Sequence, residues 1–169
     1  MAYAFFRVPM HAFTDTTADL SDIWRGMAEE MEDRLSGART NEARVDMAQK
    51  YLLRQLAGDQ QDLQMVYCLR QAQLSGGLIP VSQLTDGTGL SQRHLARKFQ
   101  QQVGLSPKEY LRACRFIRSL HHLKKYPMLS LTEVAYESGY YDQAHFNRDY
   151  KAYTGHTPGE VAHARDILY

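Results

Sequence analysis

The chain has 169 residues, a hydrophobic fraction of 44% and a charged fraction of 23%, with a mean hydropathy of −0.49. These values describe a globular chain long enough for one domain, or a small domain with an extension, and argue against a disordered or membrane one. The net charge is only +1, a total that by itself argues against a nucleic-acid partner. No run nears the ~18 apolar residues of a membrane span, and Met1–His11 lacks the features of a signal peptide. Two cysteines, Cys68 and Cys114, make no disulfide framework; both are expected as small apolar packing residues, and the expected location is cytoplasmic.

The charge total conceals an asymmetry. Residues 1–61 carry seven basic and ten acidic groups (−3), residues 62–169 thirteen and nine (+4), and residues 81–118 seven and two (+5). The basic excess is therefore concentrated in one stretch.

In chain order, Tyr3–Val8 reads as a short extended piece stopped by Pro9. Asp19 or Ser21 caps a helix whose stripe is Leu20, Ile23, Trp24, Met27, Met31 and Leu35, ended by Ser36-Gly37. Trp24 is the expected anchor of this region. A second helix runs from about Thr40 to Leu56, with Val45, Ala48, Leu52 and Leu56 on one face, and stops at Gly58. A third runs from about Asp62 to Leu74, with Leu63, Val66, Tyr67, Arg70 and Leu74 aligned. After Pro80 the helices shorten: Val81–Gly87, then Ser91–Val103 with a capping serine. Pro107 occupies the first position of a long helix reaching about Tyr126. Ser130 with Glu133 forms a capping box for another short helix. Asp142 caps the next, which ends at Gly155, and Thr157-Pro158 opens the last. Strand signals are nearly absent, so the fold class is all-α.

The second half repeats itself. Ser91–Tyr110 laid on Asp142–Val161, 51 residues later, matches Gln92/Gln143, His94/His145, Arg97/Arg148, Gly104/Gly155, Pro107/Pro158 and Glu109/Glu160. Each unit is a short helix, a glycine turn and a capped second helix, the layout of a helix-turn-helix. Leu84, Leu95 and Phe99 are the expected packing residues of the first unit, and Val134, Phe146 and Tyr150 those of the second. The outward positions are then Gln92, Arg93, Ala96, Arg97 and Gln100, and Gln143, Ala144, Asn147, Arg148 and Lys151. Arginine, glutamine and asparagine read base edges bidentately, and the capped N-termini offer backbone N–H groups to phosphate.

These residues resemble the C-terminal DNA-binding domain of the AraC/XylS regulators. The resemblance rests on G-L-S-Q-R-H-L-A-R-K-F at Gly89–Phe99 with G-L-S-P at Gly104–Pro107. The more diagnostic motif is the second, G-Y-Y-D-Q-A-H-F-N-R-D-Y-K at Gly139–Lys151 with G-H-T-P at Gly155–Pro158. The resemblance covers roughly residues 62–163. It implies two helix-turn-helix units, 81–104 and 130–155, joined by a long central helix and preceded by a short helical linker. It further implies double-stranded DNA as partner, with recognition helices 91–103 and 142–154 in adjacent major-groove segments. Thr85 and Ala144 depart from the residues common in the family. The second unit is not basic: residues 119–161 sum to −1, so the first unit is expected to supply most of the phosphate affinity.

Residues 1–18 resemble the exit from a cupin-like sensor barrel, 19–60 a helical linker and 61–169 the DNA-binding domain. The linker's apolar stripe is expected to pack on the chain's own second and third helices, with pairing of two copies through residues 19–56 as the alternative. RNA polymerase is a further partner the family implies. Two other readings stand beside this one: an accessory domain of a DNA-repair enzyme, and a dimerisation or protein-contact module. The sequence carries no phosphate-cradling loop, nucleophile elbow or zinc-ligand spacing, so no enzyme, cofactor or metal is expected.

Overall fold

The computed structural model describes residues 2–14, 16–57 and 61–163. The expected stop at Gly58 lies outside the described residues. Eleven α-helices and one 3-10 turn are found among the described residues, and no strand. They divide into two compact units, Met1–Val66 with Leu90–Ser106, and Tyr67–Gly89 with Pro107–Tyr169.

The first unit begins with α1 (Tyr3–Phe6), a 3-10 turn (Met10–Phe13), α2 (Leu20–Ile23), α3 (Met27–Gly37) and α4 (Asn41–Leu56). It also contains the start of α5 (Leu63–Leu74) and all of α7 (Gln92–Gln102). Tyr3–Phe6 is helical where an extended piece was expected. A lone strand would leave its N–H and C=O groups unpaired. The turn closes them locally, with Arg7 N–H donating to the Tyr3 carbonyl. It also brings Phe6 onto Phe13 and Trp24, at ring distances of 6.1 and 5.7 Å. Trp24 is buried, as an anchor should be, and its Nε1–H donates to the Phe5 carbonyl at 3.0 Å.

The expected single helix over Leu20–Leu35 is two helices. The chain breaks at Trp24 (ψ 62°) and Gly26 (φ 70°), a left-handed conformation that glycine reaches without strain. Asp19 makes no capping bond. The remaining members of the stripe are half-buried within the unit. On α4, Thr40 caps by accepting from Ala43 N–H, but the buried residue is Tyr51, whereas Val45, Leu52, Leu53 and Leu56 are exposed. On α5 the buried face is Met65, Cys68 and Ala72, and the expected stripe of Leu63, Val66, Tyr67 and Leu74 is exposed.

The second unit holds α6 (Val81–Thr88), α8 (Pro107–Lys125), α9 (Leu131–Glu137), α10 (Gln143–Thr154) and α11 (Pro158–His163). Its core is Phe116, Leu123, Val134, Ala135, Tyr140, Phe146, Tyr150 and Val161. Burying each such large side chain contributes roughly 1.5–3 kcal/mol. Phe146 meets Tyr140 and Tyr150 at 5.2 and 4.6 Å. The Tyr150 hydroxyl shares a hydrogen bond with Ser119 Oγ at 2.9 Å. The chain order α6–α7, α8, α9–α10 is the expected pair of helix-turn-helices about a long central helix.

Candidate nucleic-acid interface

The first recognition helix is α7. Ser91 Oγ accepts from His94 N–H at 3.3 Å, capping it as its sequence predicts. Leu95 and Phe99 are fully buried. Gln92, Arg93 and Arg97 are exposed, while Ala96 and Gln100 are half-buried at the edges of the outward face. Arg97 Nη2 donates to His94 Nε2 at 2.9 Å, and the Gln100 carbonyl accepts from His11 Nδ1 at 3.3 Å. Ser91, Arg93, His94 and Arg97 line a surface hollow of about 470 Å³ at the first turn. Among the described residues no carboxylate lines it, so the exposed N–H groups and two guanidinium groups make it an anion-attracting surface.

The second recognition helix is α10. Asp142 accepts from His145 N–H at 2.6 Å, while Phe146 and Tyr150 are fully buried. Gln143, Ala144, Asn147, Arg148 and Lys151 are all exposed. Thr132 Oγ1 donates to Gln143 Oε1 at 3.0 Å, which orients the glutamine and leaves its NH₂ as the outward donor. α9 is fixed beside it by the expected capping box, Ser130 N–H to Glu133 at 2.7 Å and Glu133 N–H to Ser130 Oγ at 3.2 Å.

The repeated histidines differ. His94 is exposed, whereas His145 is half-buried, with its ring edge-on to Tyr140 at 5.3 Å and Nε2 3.7 Å from Asp149. Neither joins a ligand set: among the described residues no three His, Cys, Asp or Glu side chains gather at one point. Cys68 is buried, and burial pushes the Cys114 thiol up, the opposite of an activated nucleophile.

The sequence reading missed how each recognition helix is tethered. Asp149 is buried on α10, its Oδ1 accepting from Arg112 Nε and Nη2, each at 2.8 Å. Fifty-one residues earlier, at the same repeat position on α7, stands Lys98. Its ammonium is bonded to Asp62 and, at 3.0 Å, to Gln64. Asp62 also accepts from Gln102 Nε2 at 2.9 Å. Burial alone would raise the Asp62 carboxyl; the bonds from Lys98, Gln102 and Met65 N–H outweigh it and hold the group below its usual range. The signal was present as a charge three residues after Phe146, on the apolar face of α10. Tyr141 was missed as well: it is exposed directly before the Asp142 cap, beside the buried Tyr140.

Paired, capped helices with cationic and amide side chains outward define a helix-turn-helix protein. A family described as a helix-turn-helix domain matches residues 84–164. That segment contains both of the motifs that resemble the AraC/XylS regulators. The chain is similar to the HTH-type transcriptional activator RhaS of Citrobacter koseri, 34% identical over 85 residues, half of this chain and 30% of that protein. RhaS of Escherichia coli K12 is 32% identical over 83 residues, 49% of this chain and 30% of that protein. The chain thus spans about 30% of the length of these curated relatives. A solved structure titled as the xylose-binding transcription activator xylR has a similar fold. Its TM-score is 0.51 at 21% identity, over 71% of this chain and 38% of that one. No helix among the described residues is long and apolar enough to cross a membrane.

Proposed function

We propose that this chain binds duplex DNA sequence-specifically as part of a cytoplasmic bacterial transcription regulator of the AraC type. In this reading α7 and α10 enter successive major-groove segments. The observation that carries it is the repetition of one design. Each helix is capped at its N-terminus, buried along one face and furnished outward with arginine and glutamine. Arg93 and Arg97 serve guanine edges or phosphate in the first segment. Gln143, Asn147 and Arg148 serve base edges in the second, with Lys151 on the backbone. Gln92, Ala96, Gln100 and Ala144 complete the two contact faces.

The test is selection of bound duplexes from a random pool, followed by titration of Arg97→Ala and Arg148→Ala on the selected site. Each variant should lose about 1–3 kcal/mol of binding and relax preference at one base position. The two relaxed positions should lie about one helical turn apart. Full affinity and unchanged preference in both variants would overturn the assignment.

A second copy of the chain is the further partner supported by an observation. Val45, Leu52, Leu53 and Leu56 leave an apolar face of α4 exposed, where a monomer would ordinarily turn polar residues outward. Sedimentation as a monomer at high concentration would remove this reading. The relatives' description as activators supports contact with RNA polymerase in the assembled regulator.

A further inference from the structure

A groove of about 740 Å³ runs along α8 beneath the end of α5, within the size range of small-molecule sites. Its floor spans Tyr110 to Lys125, about 22 Å of α8 at 1.5 Å per residue, with Tyr126 just past the helix end. One half is apolar: Leu74, Tyr110, Cys114 and Ile117, with Leu74 71% and Ile117 50% exposed. The other half carries two cations, Arg118 and Lys125, with His122 between them as a hydrogen-bonding group that burial and the nearby Arg118 keep below the ordinary imidazole range.

The cationic end is held in place by its surroundings. Gly76 has φ 59°, and a Cβ there would run into Arg118 Cδ, so the glycine makes room for the guanidinium. Arg118 Nη1 donates to the Ser75 carbonyl at 3.3 Å. His122 Nδ1 shares a hydrogen bond with Ser138 Oγ at 3.2 Å, its ring edge-on to Tyr126 at 5.8 Å. Lys125 Nζ stands 5.2 Å over the same tyrosine ring. Among the described residues no carboxylate lines the groove; Glu133 and Glu137 line the neighbouring hollow, which shares Arg118, His122 and Tyr126 with it.

We infer that this groove binds an amphipathic organic anion, its carboxylate or sulfonate head at Arg118, His122 and Lys125 and its apolar body along Ile117, Cys114 and Leu74. Charge complementarity selects the head, and the gradient from cationic to apolar along one helix selects a ligand of matching polarity. A peptide fits less well, because the lining residues Ala113, Cys114 and Ile117 offer its backbone no side-chain donor beyond a thiol. The inference is independent of the DNA reading.

Cys114 lines the groove and Cys68 is buried, so alkylation of Cys114 is a built-in reporter. The full chain is treated with iodoacetamide at mildly alkaline pH, with dodecanoate below its micelle concentration, and modification is followed by mass spectrometry. Dodecanoate should protect Cys114 saturably, and dodecyltrimethylammonium at equal concentration should not. The half-protecting concentration should rise about tenfold in Arg118→Gln and several-fold in Lys125→Gln. Lys125 is exposed at the helix end, so that variant keeps its fold, which circular dichroism checks. Absence of protection, equal protection by both amphiphiles, or protection unaltered in Lys125→Gln would overturn the assignment. Protection by an acidic helical peptide but not by dodecanoate would overturn it in favour of a protein partner.

Discussion

Asp149 is a charge in the midst of an aromatic core, and its neighbourhood explains its presence there. Arg112 reaches it with two nitrogens from α8 and lies 5.5 Å over the Tyr153 ring. The guanidinium is itself 43% exposed, so the pair is desolvated on one side only. Removing the arginine leaves a buried carboxylate without a cation, which costs more than the pair contributes. Arg112→Gln should therefore lower stability by about 2–3 kcal/mol, read from the midpoint of urea unfolding. Arg112→Lys, which keeps the charge and loses the fork, should fall between. An unchanged midpoint in Arg112→Gln would mean that Asp149 is stabilised by something else. Nearby, burial pushes the Tyr150 phenol up to about 12 against the opposing bond from Ser119, so it stays a neutral hydrogen-bonding group through the physiological range. Part of this core was legible in the sequence: Phe146 and Tyr150 stand four apart on one helix face and Val134 on the preceding helix, whereas Phe116 and Tyr140 were not singled out. Asp149 was not, because a charged residue on a helix is by default a solvated one.

Helix ends carry chemistry that a sequence displays directly. Ser91, Asp142, the Ser130–Glu133 box and Pro107 all stand where they were read. A second box, Thr157 with Glu160, starts α11: Thr157 N–H donates to Glu160 at 2.7 Å. Both glutamates are held below the usual 4.5, Glu133 chiefly by the Ser130 side chain and Glu160 chiefly by the Thr157 N–H. A carboxyl lowered in the folded state contributes stability that is complete above its unfolded value and is lost as pH falls through the lowered one. Melting temperature followed from about pH 6 to about pH 3 should therefore fall less steeply in Glu133→Gln and Glu160→Gln than in the parent. Identical acid limbs would show that the boxes do not titrate with folding.

Helix faces were read less well than helix ends, for a reason visible in α5. Leu63, Val66, Tyr67 and Leu74 satisfy helical spacing, and so do Met65, Cys68 and Ala72. A helix apolar on two sides gives periodicity no means of choosing between them. The smaller set is the buried one, which suits close approach by a neighbour. In the same way the stripe from Leu20 to Leu35 was continuous in sequence, but one positive φ at Gly26 divides it between two helices.

For the molecule as a whole, charge is the property most changed by the structure. Seven cations lie in residues 81–118, but four are bonded to a carboxylate or a backbone carbonyl. Lys98 is bonded to Asp62, Arg112 to Asp149, Arg115 to the Gly77 carbonyl and Arg118 to that of Ser75. Arg93, Arg97 and Lys108 remain as exposed cations of that stretch, and Arg148 and Lys151 as those of α10. Affinity from so few phosphate contacts should show a shallow salt dependence. The slope of log K against log salt should be about −3 to −5, at roughly −0.9 per phosphate. A slope twice as steep would place further cations on the DNA. The basic excess was legible in the sequence. Its division between tethering and contact was not, because it depends on pairings across 36 and 37 residues.

The opposite signs at the two tethers also bear on how far the recognition helices are interchangeable. They follow one pattern, so transplanting one helix into the other's seat looks like a direct way to move binding specificity. A whole-helix transplant would set Asp149 against Asp62 and Lys98 against Arg112, two like-charge clashes at partly buried positions. Altered specificity in this scaffold therefore has to be engineered one outward residue at a time, with positions 98 and 149 left as they are.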